Sequence, residues 1–281
     1  MPGNEAGGLH PSFWEYMSTV SQSESKASAS PSFTVLGVRV HAMQISETAA
    51  QVEEWIRERK PERFVSFSGM HGLSESIHDR SMRHVLNSAD LVVPDGMSLV
   101  WVGRRRGQAQ RLKRRVYGPE FMETFIRETG GLYRHYFYGG APGVADRLAD
   151  MMHRLHGIQV AGTYCPPFRP LTEEEEADLE ARVRAAAPDV LWVGLSTPKQ
   201  ERWMYGHRGR LGVPVLLGVG AAFDFLTGGV QQAPRWMQEN GLEWFFRLVI
   251  DPRRLWRRYL VSGPRFAWNA SLELLNLRKF T

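Results

Sequence analysis

Hydrophobic and polar residues follow two different periods along most of this chain. From residue 33 onward, short runs rich in β-branched and aromatic residues predict strands, and stretches with apolar residues three or four positions apart predict helices. We expect strands at residues 33–40, 64–67, 91–93, 134–140, 159–162, 190–195 and 213–220. We expect helices at residues 47–60, 81–87, 120–128, 142–156 and 172–187, and a further one from Met97 onward.

The order of these elements predicts an α/β fold. The runs VLWVGL (190–195) and VPVLLGVG (213–220) are apolar throughout, which is typical of parallel strands buried on both faces. Strands that alternate with helices imply right-handed crossovers, and hence a Rossmann-like, mostly parallel sheet with helices on both faces. Ligands bind such sheets beyond the carboxyl ends of the strands, so the residues that follow each strand are the candidates for chemistry.

By composition, the chain divides into three segments. Residues 1–32 contain seven serines between Ser18 and Ser32 and show no apolar period, which predicts a disordered tail. Residues 33–232 form the predicted core. We expect residues 233–281 to be a basic, helical appendage, in which arginines are interleaved with the tryptophans Trp236, Trp244, Trp256 and Trp268.

The single cysteine and the lengths of the apolar runs indicate the cellular compartment of the protein. Cys165 has no second cysteine with which to form an internal disulfide, and the first twenty residues lack the pattern of a signal peptide. The longest nearly apolar stretch, Val213 to Phe223, is 11 residues, whereas a membrane-spanning helix needs about 20. We therefore expect a cytoplasmic protein without a transmembrane segment.

Positive charge is concentrated in two stretches. Residues 104–115 carry seven basic and no acidic side chains, and residues 235–281 carry nine basic and four acidic ones. Because the whole chain has a net charge of +5, the remainder sums to −7. This asymmetry favours an anionic partner, either phosphate, a lipid headgroup or nucleic acid, although a solvated basic face is the simpler alternative.

Asp95 is the clearest candidate for proton transfer. It lies between Pro94 and Gly96 at the end of a predicted strand, where a carboxylate faces the cleft and can accept a proton from an attacking hydroxyl. Aspartate is also a preferred N-cap, and a helix follows directly. On position alone, the capping role is the favoured one.

Other turns at the same edge supply polar or glycine residues. YGGAPG (138–143) offers free backbone amides at a helix start, as a phosphate requires, although on this motif alone a tight turn without a ligand is the favoured explanation. Ser66 and Ser68, then Lys199, Gln200 and Glu201, and finally Gly220 and Asp224 follow the other strands. Without a ligand, these are first-turn polar residues and packing positions.

Neither a metal site nor a cofactor site is predicted. The chain contains no DxD pair, CxxC or HExxH, and His71 and His78 lack a third ligand. No GxSxG elbow is present, and Cys165 has no nearby histidine, so covalent catalysis has no support.

Taken together, the cleft motifs resemble the WecG/TagA/CpsF glycosyltransferases. The similar segments are ADLVVPDGMSLVW (89–101), YGGAPGVADRL (138–148), VGLSTPKQERWM (193–204), residues 218–248 and DPRRLWRRYL (251–260). The resemblance implies a membrane-associated, inverting transferase that moves a sugar from a UDP-sugar to a polyprenyl-diphosphate-linked saccharide, without a required metal. It implies that the enzyme is peripheral on the anionic inner face of the cell membrane.

By the same resemblance, individual residues acquire expected roles. Asp95 is the expected general base, Gln200 a sugar contact and Arg115 an active-site arginine, while Arg247, Arg254 and Arg257 match arginines of the family's C-terminal appendage. The full set of expected substrate-binding residues is Ser66, Ser68, Gly96, Arg115, Tyr117, Gly139, Gly140, Pro142, Gly143, Lys199, Gln200, Glu201, Gly220, Asp224, Arg247, Arg254 and Arg257.

Two departures from the family pattern affect the sugar region. The family usually has Thr-x-Asn where this chain has Ser66-Phe67-Ser68, and Thr-Gly-Ser-Asp where it has Tyr117-Gly118-Pro119-Glu120. The donor therefore stays open between a hexose and an N-acetylhexosamine.

Two other functional classes remain as alternatives. A nucleotide-dependent oxidoreductase shares such a core, but it needs GxGxxG after the first strand, where this chain has LGVRVHA. A nucleic-acid-binding protein accounts for the basic stretches but not for polar turns that converge on one sheet edge, so no nucleic acid is predicted as partner. A homo-oligomer is left open.

Overall fold

The computed structural model describes residues 30–59 and 62–280 and has a six-stranded parallel sheet at its centre. The strands are β1 (Ser32–Val35), β2 (Val38–His41), β3 (Arg63–Ser68), β4 (Leu91–Pro94), β5 (Arg134–Gly139), β6 (Gln159–Tyr164), β7 (Val190–Gly194) and β8 (Val215–Gly218). The central sheet has the order β4-β3-β8-β7-β5-β6, and every pair in it is parallel. The predicted Rossmann-like α/β fold is confirmed.

Helices flank this sheet and continue beyond it. In chain order they are α1 (Ile45–Glu58), α2 (Met70–His78), α3 (Arg80–Asn87), α4 (Met97–Gly103), α5 (Gly118–Thr129), α6 (Val144–His156), α7 (Glu173–Ala186), α8 (Lys199–His207), α9 (Ala222–Leu226), α10 (Arg235–Glu239), α11 (Glu243–Ile250), α12 (Pro252–Trp256) and α13 (Gly263–Leu274). Residues 257–262 are π-helical, and the segment 104–108 is kinked at Arg106 and Gly107, whose backbone angles are not helical. The predicted disordered tail lies outside the described residues, apart from its last three positions.

The prediction of one strand at residues 33–40 is wrong. The segment is an antiparallel hairpin, β1–β2, that does not join the central sheet. Leu36 and Gly37 turn the chain with positive φ angles of 53° and 77°. Because Leu36 is apolar and buried, the turn lies within an unbroken apolar run, and the sequence reads as a single strand.

The helix at α2 was not predicted from the sequence. Its sequence, MHGLSESIH, offers few apolar positions, and its buried face consists of Leu73 with Gly72, Ser74 and Ser76. The capping box expected at the start of α7 is confirmed, since Thr172 Oγ1 accepts a hydrogen bond from the Glu175 amide at 3.2 Å and the Glu175 carboxylate accepts one from the Thr172 amide.

Burial explains why the parallel strands have continuous apolar sequences. All six residues of β3 and all four of β8 are buried, because helices cover both faces of the sheet. Trp192 of β7 packs against Phe121 and Phe125 of α5 on one face. With every strand parallel, the carboxyl ends of β3, β4, β7 and β8 lie along one edge, where the polar turns meet.

The C-terminal segment, residues 233–281, packs against this core through a few side chains. Phe266 and Ala270 of α13 belong to the buried core, and Leu255 and Tyr259 are also buried. Many of its other large apolar side chains are exposed. None of the helices described is long and apolar enough to span a membrane.

Candidate active site

A cavity of about 450 Å³ lies at the carboxyl edge of the sheet. The core contributes residues that follow four strands, and the C-terminal segment closes the opposite wall with arginines. The polar and charged lining residues are His71, Glu75, Asp95, Tyr117, Ser196, Thr197, Gln200, Asp224, Glu243, Arg247, Arg254, Arg257, Arg258 and Ser262. We call this space the Asp95 cavity.

Asp95 does not cap the helix that follows it. The N-cap of α4 is Gly96, and no side chain bonds to its first turn. Instead, Asp95 Oδ1 accepts a 2.8 Å hydrogen bond from the amide of Gly118, the first residue of α5. Burial raises the pKa of Asp95 above its usual value, while Arg115 and the Gly118 amide partly oppose that rise. The result is a carboxylate fixed in the cavity wall with a heightened affinity for a proton.

Arg115 links the core to the C-terminal segment beside Asp95. Its guanidinium forms a 2.6 Å ion pair with Glu243 and a 3.0 Å hydrogen bond to Gln238 Oε1, and it lies 3.9 Å from the centre of the Tyr117 ring. The Tyr117 hydroxyl donates to Glu243 at 3.3 Å. Burial and the Glu243 charge raise the pKa of Tyr117, so this hydroxyl remains protonated.

Sequence reasoning did not find Glu243, although it lies on the same predicted helix as Arg247. The arginines were predicted because basic residues are concentrated in this segment. No sequence pattern distinguishes Glu243 from an ordinary acidic surface residue.

The three arginines expected from the resemblance line the cavity, and a fourth joins them. Arg254 pairs with Asp251 at 2.7 Å, whereas Arg247, Arg257 and Arg258 have no ion-pair partner among the described residues. Arg247 and Arg257 lie over the rings of Phe225 and Trp256, with guanidinium-to-centroid distances of 5.1 and 5.3 Å.

Arg258 is the most deeply placed of these arginines. Its Nε atom is buried and has no hydrogen-bond partner among the described residues. Burial lowers the pKa of Arg258, and the nearby Arg247 adds to that effect. The sequence did contain a signal for it, since Arg254, Arg257 and Arg258 follow the i, i+3, i+4 spacing of one helix face.

Five side chains beneath the cavity form a buried polar group that we call the Glu201 cluster. Its members are Ser66, Ser68, Thr197, Gln200 and Glu201. Ser66, Ser68, Gln200 and Glu201 are at most 1% exposed. Of the four residues in this group that were expected to bind substrate, only Gln200 lines the cavity.

The remaining expected residues divide into those at the cavity and those away from it. Tyr117, Gly220 and Asp224 line it. Gly96 and the exposed Lys199 do not, and neither does the turn from Gly139 to Gly143.

The glycines of that turn serve chain packing. Gly139 has a φ of 121°, and a Cβ there would meet the Gly194 carbonyl oxygen at 2.6 Å. The Gly140 amide donates to the same carbonyl at 3.1 Å. Close approach of β5 and β7 therefore accounts for Gly139, whereas Gly140 has a φ of 76° and a Cβ there would meet Val144 Cβ at 3.1 Å.

A second cavity of about 820 Å³ adjoins the first, and Tyr117 and Pro119 line both. Its basic lining residues are Arg104, Lys113, Arg114, Arg115, Arg127 and Arg235. We call it the basic groove. Four of these residues, Arg104, Lys113, Arg114 and Arg115, belong to the basic stretch at residues 104–115.

One group of three potential metal ligands occurs among the described residues, and it lies apart from both cavities. Glu176, Glu180 and His207 bring their ligand atoms within 4.8 Å of one another. Glu180 also pairs with Arg210 at 2.7 Å, so its charge is already balanced.

Comparison with known proteins gives one family and several named relatives. The family described as "Glycosyl transferase WecG/TagA/CpsF family" matches residues 33–280. A protein of Bacillus subtilis (strain 168) named "N-acetylglucosaminyldiphosphoundecaprenol N-acetyl-beta-D-mannosaminyltransferase" is 29% identical over 210 residues, which is 73% of this chain and 77% of the relative. A protein of the same name from Bacillus spizizenii is 29% identical over 194 residues, or 68% of this chain and 72% of the relative.

Proposed function

Because the chain belongs to the WecG/TagA/CpsF family of glycosyl transferases, we propose that it moves a hexose or N-acetylhexosamine from a UDP-sugar to a polyprenyl-diphosphate-linked saccharide. The observation that carries this proposal is the Asp95 cavity, where the Asp95 carboxylate shares one space with three arginines that lack ion-pair partners among the described residues. Displacement of a diphosphate by a hydroxyl requires a group that accepts the hydroxyl proton and cations that stabilise the charge on the leaving diphosphate.

In this proposal the sugar is inverted in one displacement. The acceptor hydroxyl attacks the anomeric carbon on the face opposite the diphosphate, and Asp95 takes the hydroxyl proton. The bond from the anomeric carbon to the diphosphate oxygen breaks, and its electron pair leaves with UDP. The elevated pKa of Asp95 suits it to accept that proton better than an ordinary surface carboxylate would.

Arginines meet the charge that develops on the leaving group. Arg247, Arg257 and Arg258 line the cavity without carboxylate partners among the described residues, and guanidinium groups form strong charge-assisted hydrogen bonds with phosphate oxygens. This supports a reaction in which no metal ion is required.

The acceptor diphosphate is assigned to the basic groove. This groove shares Tyr117 and Pro119 with the Asp95 cavity, so an acceptor bound there reaches the reacting centre from the side of Arg115. Both relatives are named for an N-acetylglucosaminyl-diphosphoundecaprenol acceptor, and we extend that acceptor class to this chain. The product would enter a cell-wall, capsular or exopolysaccharide polymer.

The C-terminal segment is assigned to the anionic inner surface of the cell membrane. Its exposed large apolar side chains are Trp236, Leu242, Trp244, Phe245, Val249, Ile250, Trp256, Leu260, Val261, Trp268, Leu275 and Leu277. Exposed arginines such as Arg253 and Arg265 lie in the same segment. Apolar side chains with neighbouring basic ones are typical of a surface that binds lipid headgroups.

The test is a donor panel with the full chain. Purified protein is mixed with UDP-sugars and a short-chain prenyl-diphosphate-linked N-acetylglucosamine, and UDP release and the product anomer are measured. We expect one UDP-hexose or UDP-N-acetylhexosamine to be transferred with inversion. Transfer from another nucleotide-sugar alone, or retention at the anomeric carbon, would overturn the proposal.

A further inference from the structure

Glu201 holds three hydrogen-bond donors on one oxygen beneath the Asp95 cavity. Its Oε1 lies 2.8 Å from Thr197 Oγ1, 3.1 Å from Gln200 Nε2 and 3.3 Å from Ser66 Oγ. The Glu201 side chain is fully buried, and its second oxygen has no partner among the described residues. Burial raises the pKa of Glu201, yet Oε1 remains an acceptor whether or not a proton occupies Oε2.

The hydrogens of this cluster can be assigned one at a time. A carboxyl oxygen without a proton only accepts, so the Ser66 hydroxyl donates to Glu201. Ser66 has no second proton, and the 2.9 Å contact with Ser68 therefore requires Ser68 to donate to Ser66. The hydroxyl hydrogens of both serines are therefore used within the cluster, and neither is available to a ligand.

The same accounting fixes the orientation of the Gln200 amide. One of its two hydrogens points to Glu201, and the other points to the Gly218 carbonyl oxygen at 2.9 Å. Rotating the amide by 180° would bring its oxygen against these two acceptors, which disfavours the flipped orientation. Both amide hydrogens are therefore used, and only Gln200 Oε1 remains free.

Gln200 Oε1 is buried and has no hydrogen-bond partner among the described residues. Gln200 lines the cavity, and a Cβ placed on Gly220 would lie 3.7 Å from this oxygen. A buried acceptor without a partner is unfavourable, and a ligand that brings an N–H or O–H group satisfies it.

We propose that Glu201 is a positioning residue that holds the Gln200 carbonyl oxygen toward the cavity, so that the donor sugar must present a hydroxyl or an acetamido N–H at that point. This inference rests on the proposed function for the identity of the ligand. It makes the donor specificity depend on a side chain that never touches the substrate.

The experiment compares UDP-sugar analogues in variants of the full chain. The best donor found for the wild type is matched with analogues in which one hydroxyl at a time is replaced by fluorine, which cannot donate a hydrogen bond, and in which an acetamido group, if present, is N-methylated. At one position we expect the wild type to lose at least tenfold in kcat/KM. In Glu201→Leu that discrimination falls to within about twofold, because the Gln200 amide keeps only its bond to the Gly218 carbonyl and its oxygen is no longer held toward the cavity.

The conservative variant separates hydrogen bonding from charge. Glu201→Gln keeps an oxygen that accepts the three hydrogen bonds, so it should retain the discrimination that Glu201→Leu loses. The matched control is Glu180→Leu, which removes another buried glutamate, one that pairs with Arg210 and lines neither cavity. We expect it to lower stability and leave the discrimination unchanged.

Several outcomes would overturn the assignment. Wild-type discrimination in folded Glu201→Leu would contradict it, as would an equal loss in Glu180→Leu. If Glu201→Leu does not fold, Gln200→Met removes the acceptor itself, and persistence of the discrimination there is equally decisive. Failure of the wild type to transfer sugar from any UDP-sugar would instead remove the proposed function. Normal transfer with unchanged discrimination would remove only the role of Glu201.

Discussion

Replacing Arg258 with methionine should change stability and ligand affinity in opposite directions. Arg258 is a cavity-lining cation whose burial lowers its pKa and whose Nε lacks a partner among the described residues. Burying the Arg258 charge therefore lowers the free energy of unfolding of the ligand-free protein. Methionine fills similar space without the charge, so we expect the free energy of unfolding to stay the same or to rise.

The loss of UDP affinity can be given a magnitude. A hydrogen bond to a charged group contributes about 1.5–3 kcal/mol, and each 1.4 kcal/mol corresponds to a factor of ten. If Arg258 contacts the diphosphate, Arg258→Met should weaken UDP binding by about 10- to 150-fold. Titration calorimetry measures the affinity, and urea unfolding of the free protein measures the stability.

The control is Arg253→Met, which removes an exposed arginine of α12 that does not line the cavity. It should leave both quantities unchanged. A fall of more than about 1 kcal/mol in unfolding free energy for Arg258→Met, with unchanged UDP affinity, would mean that Arg258 has a structural role and does not contact the donor.

Four further outcomes are expected. Asp95→Asn should lower turnover by about 10²-fold or more and leave UDP affinity within about twofold. The wild-type kcat/KM should fall with decreasing pH, at a midpoint above the usual aspartate value of about 3.9. Near-normal turnover of Asp95→Asn would mean that Asp95 is not the general base and only forms its hydrogen bond to α5. Activity should persist in EDTA, and a loss that magnesium or manganese restores would contradict the metal-free proposal. Phe245→Ser combined with Val249→Ser should reduce sedimentation with vesicles rich in anionic lipid, while transfer to a short-chain acceptor in detergent stays normal; unchanged sedimentation would remove this surface as the membrane contact. Burial lowers the pKa of His41 and of His135 to about 4, from 6.5 when unfolded. The unfolded state therefore binds more protons below pH 6.5, and each histidine should lower the free energy of unfolding by roughly 2 kcal/mol between pH 7 and pH 5, whereas the raised pKa values of Asp95 and Glu201 act in the opposite sense. Urea titrations of the wild type beside His41→Gln and His135→Gln isolate each contribution, and an unchanged pH dependence in a variant would show that its histidine is not neutral in the fold.

Point substitutions on the C-terminal segment are more informative than its removal. Truncation before Ala233 would delete Phe266 and Ala270, which belong to the buried core. Loss of activity in such a protein would not distinguish a membrane contact from unfolding. Phe245 and Val249 are exposed, so their replacement tests the surface alone.

The central sheet could be predicted because its signal is local. Continuous apolar runs such as 190–195 are typical of a strand that is covered on both faces, and the structure has β7 in that position. The hairpin β1–β2 escaped prediction because an apolar Leu36 occupies its turn. A hydropathy pattern indicates which residues are buried, and in this hairpin the residues stay buried through the turn, so the pattern does not mark where the chain reverses.

The candidate site was predicted where residues follow strands and missed where contacts cross the chain. Asp95 is found from its place after β4, but its partner Gly118 lies 23 residues onward. Glu201 was expected to contact substrate, since it follows β7 beside Gln200. Its side chain is fully buried in the Glu201 cluster and does not line the cavity, and one sequence cannot state which side chains of a short polar helix start reach the cavity.

The turn of the N-terminal hairpin has a consequence for synthesis on the ribosome. The Leu36 amide, buried at the hairpin turn, donates its hydrogen bond to Glu273 Oε2, a partner 237 positions later in the chain. A nascent chain can form the hairpin early, but this amide stays unpaired until α13 has left the exit tunnel. A product that ends before residue 273 lacks the acceptor of this amide, and an amide left buried without a partner costs about 1–3 kcal/mol. The hairpin is thereby completed only when nearly the whole chain has been synthesised.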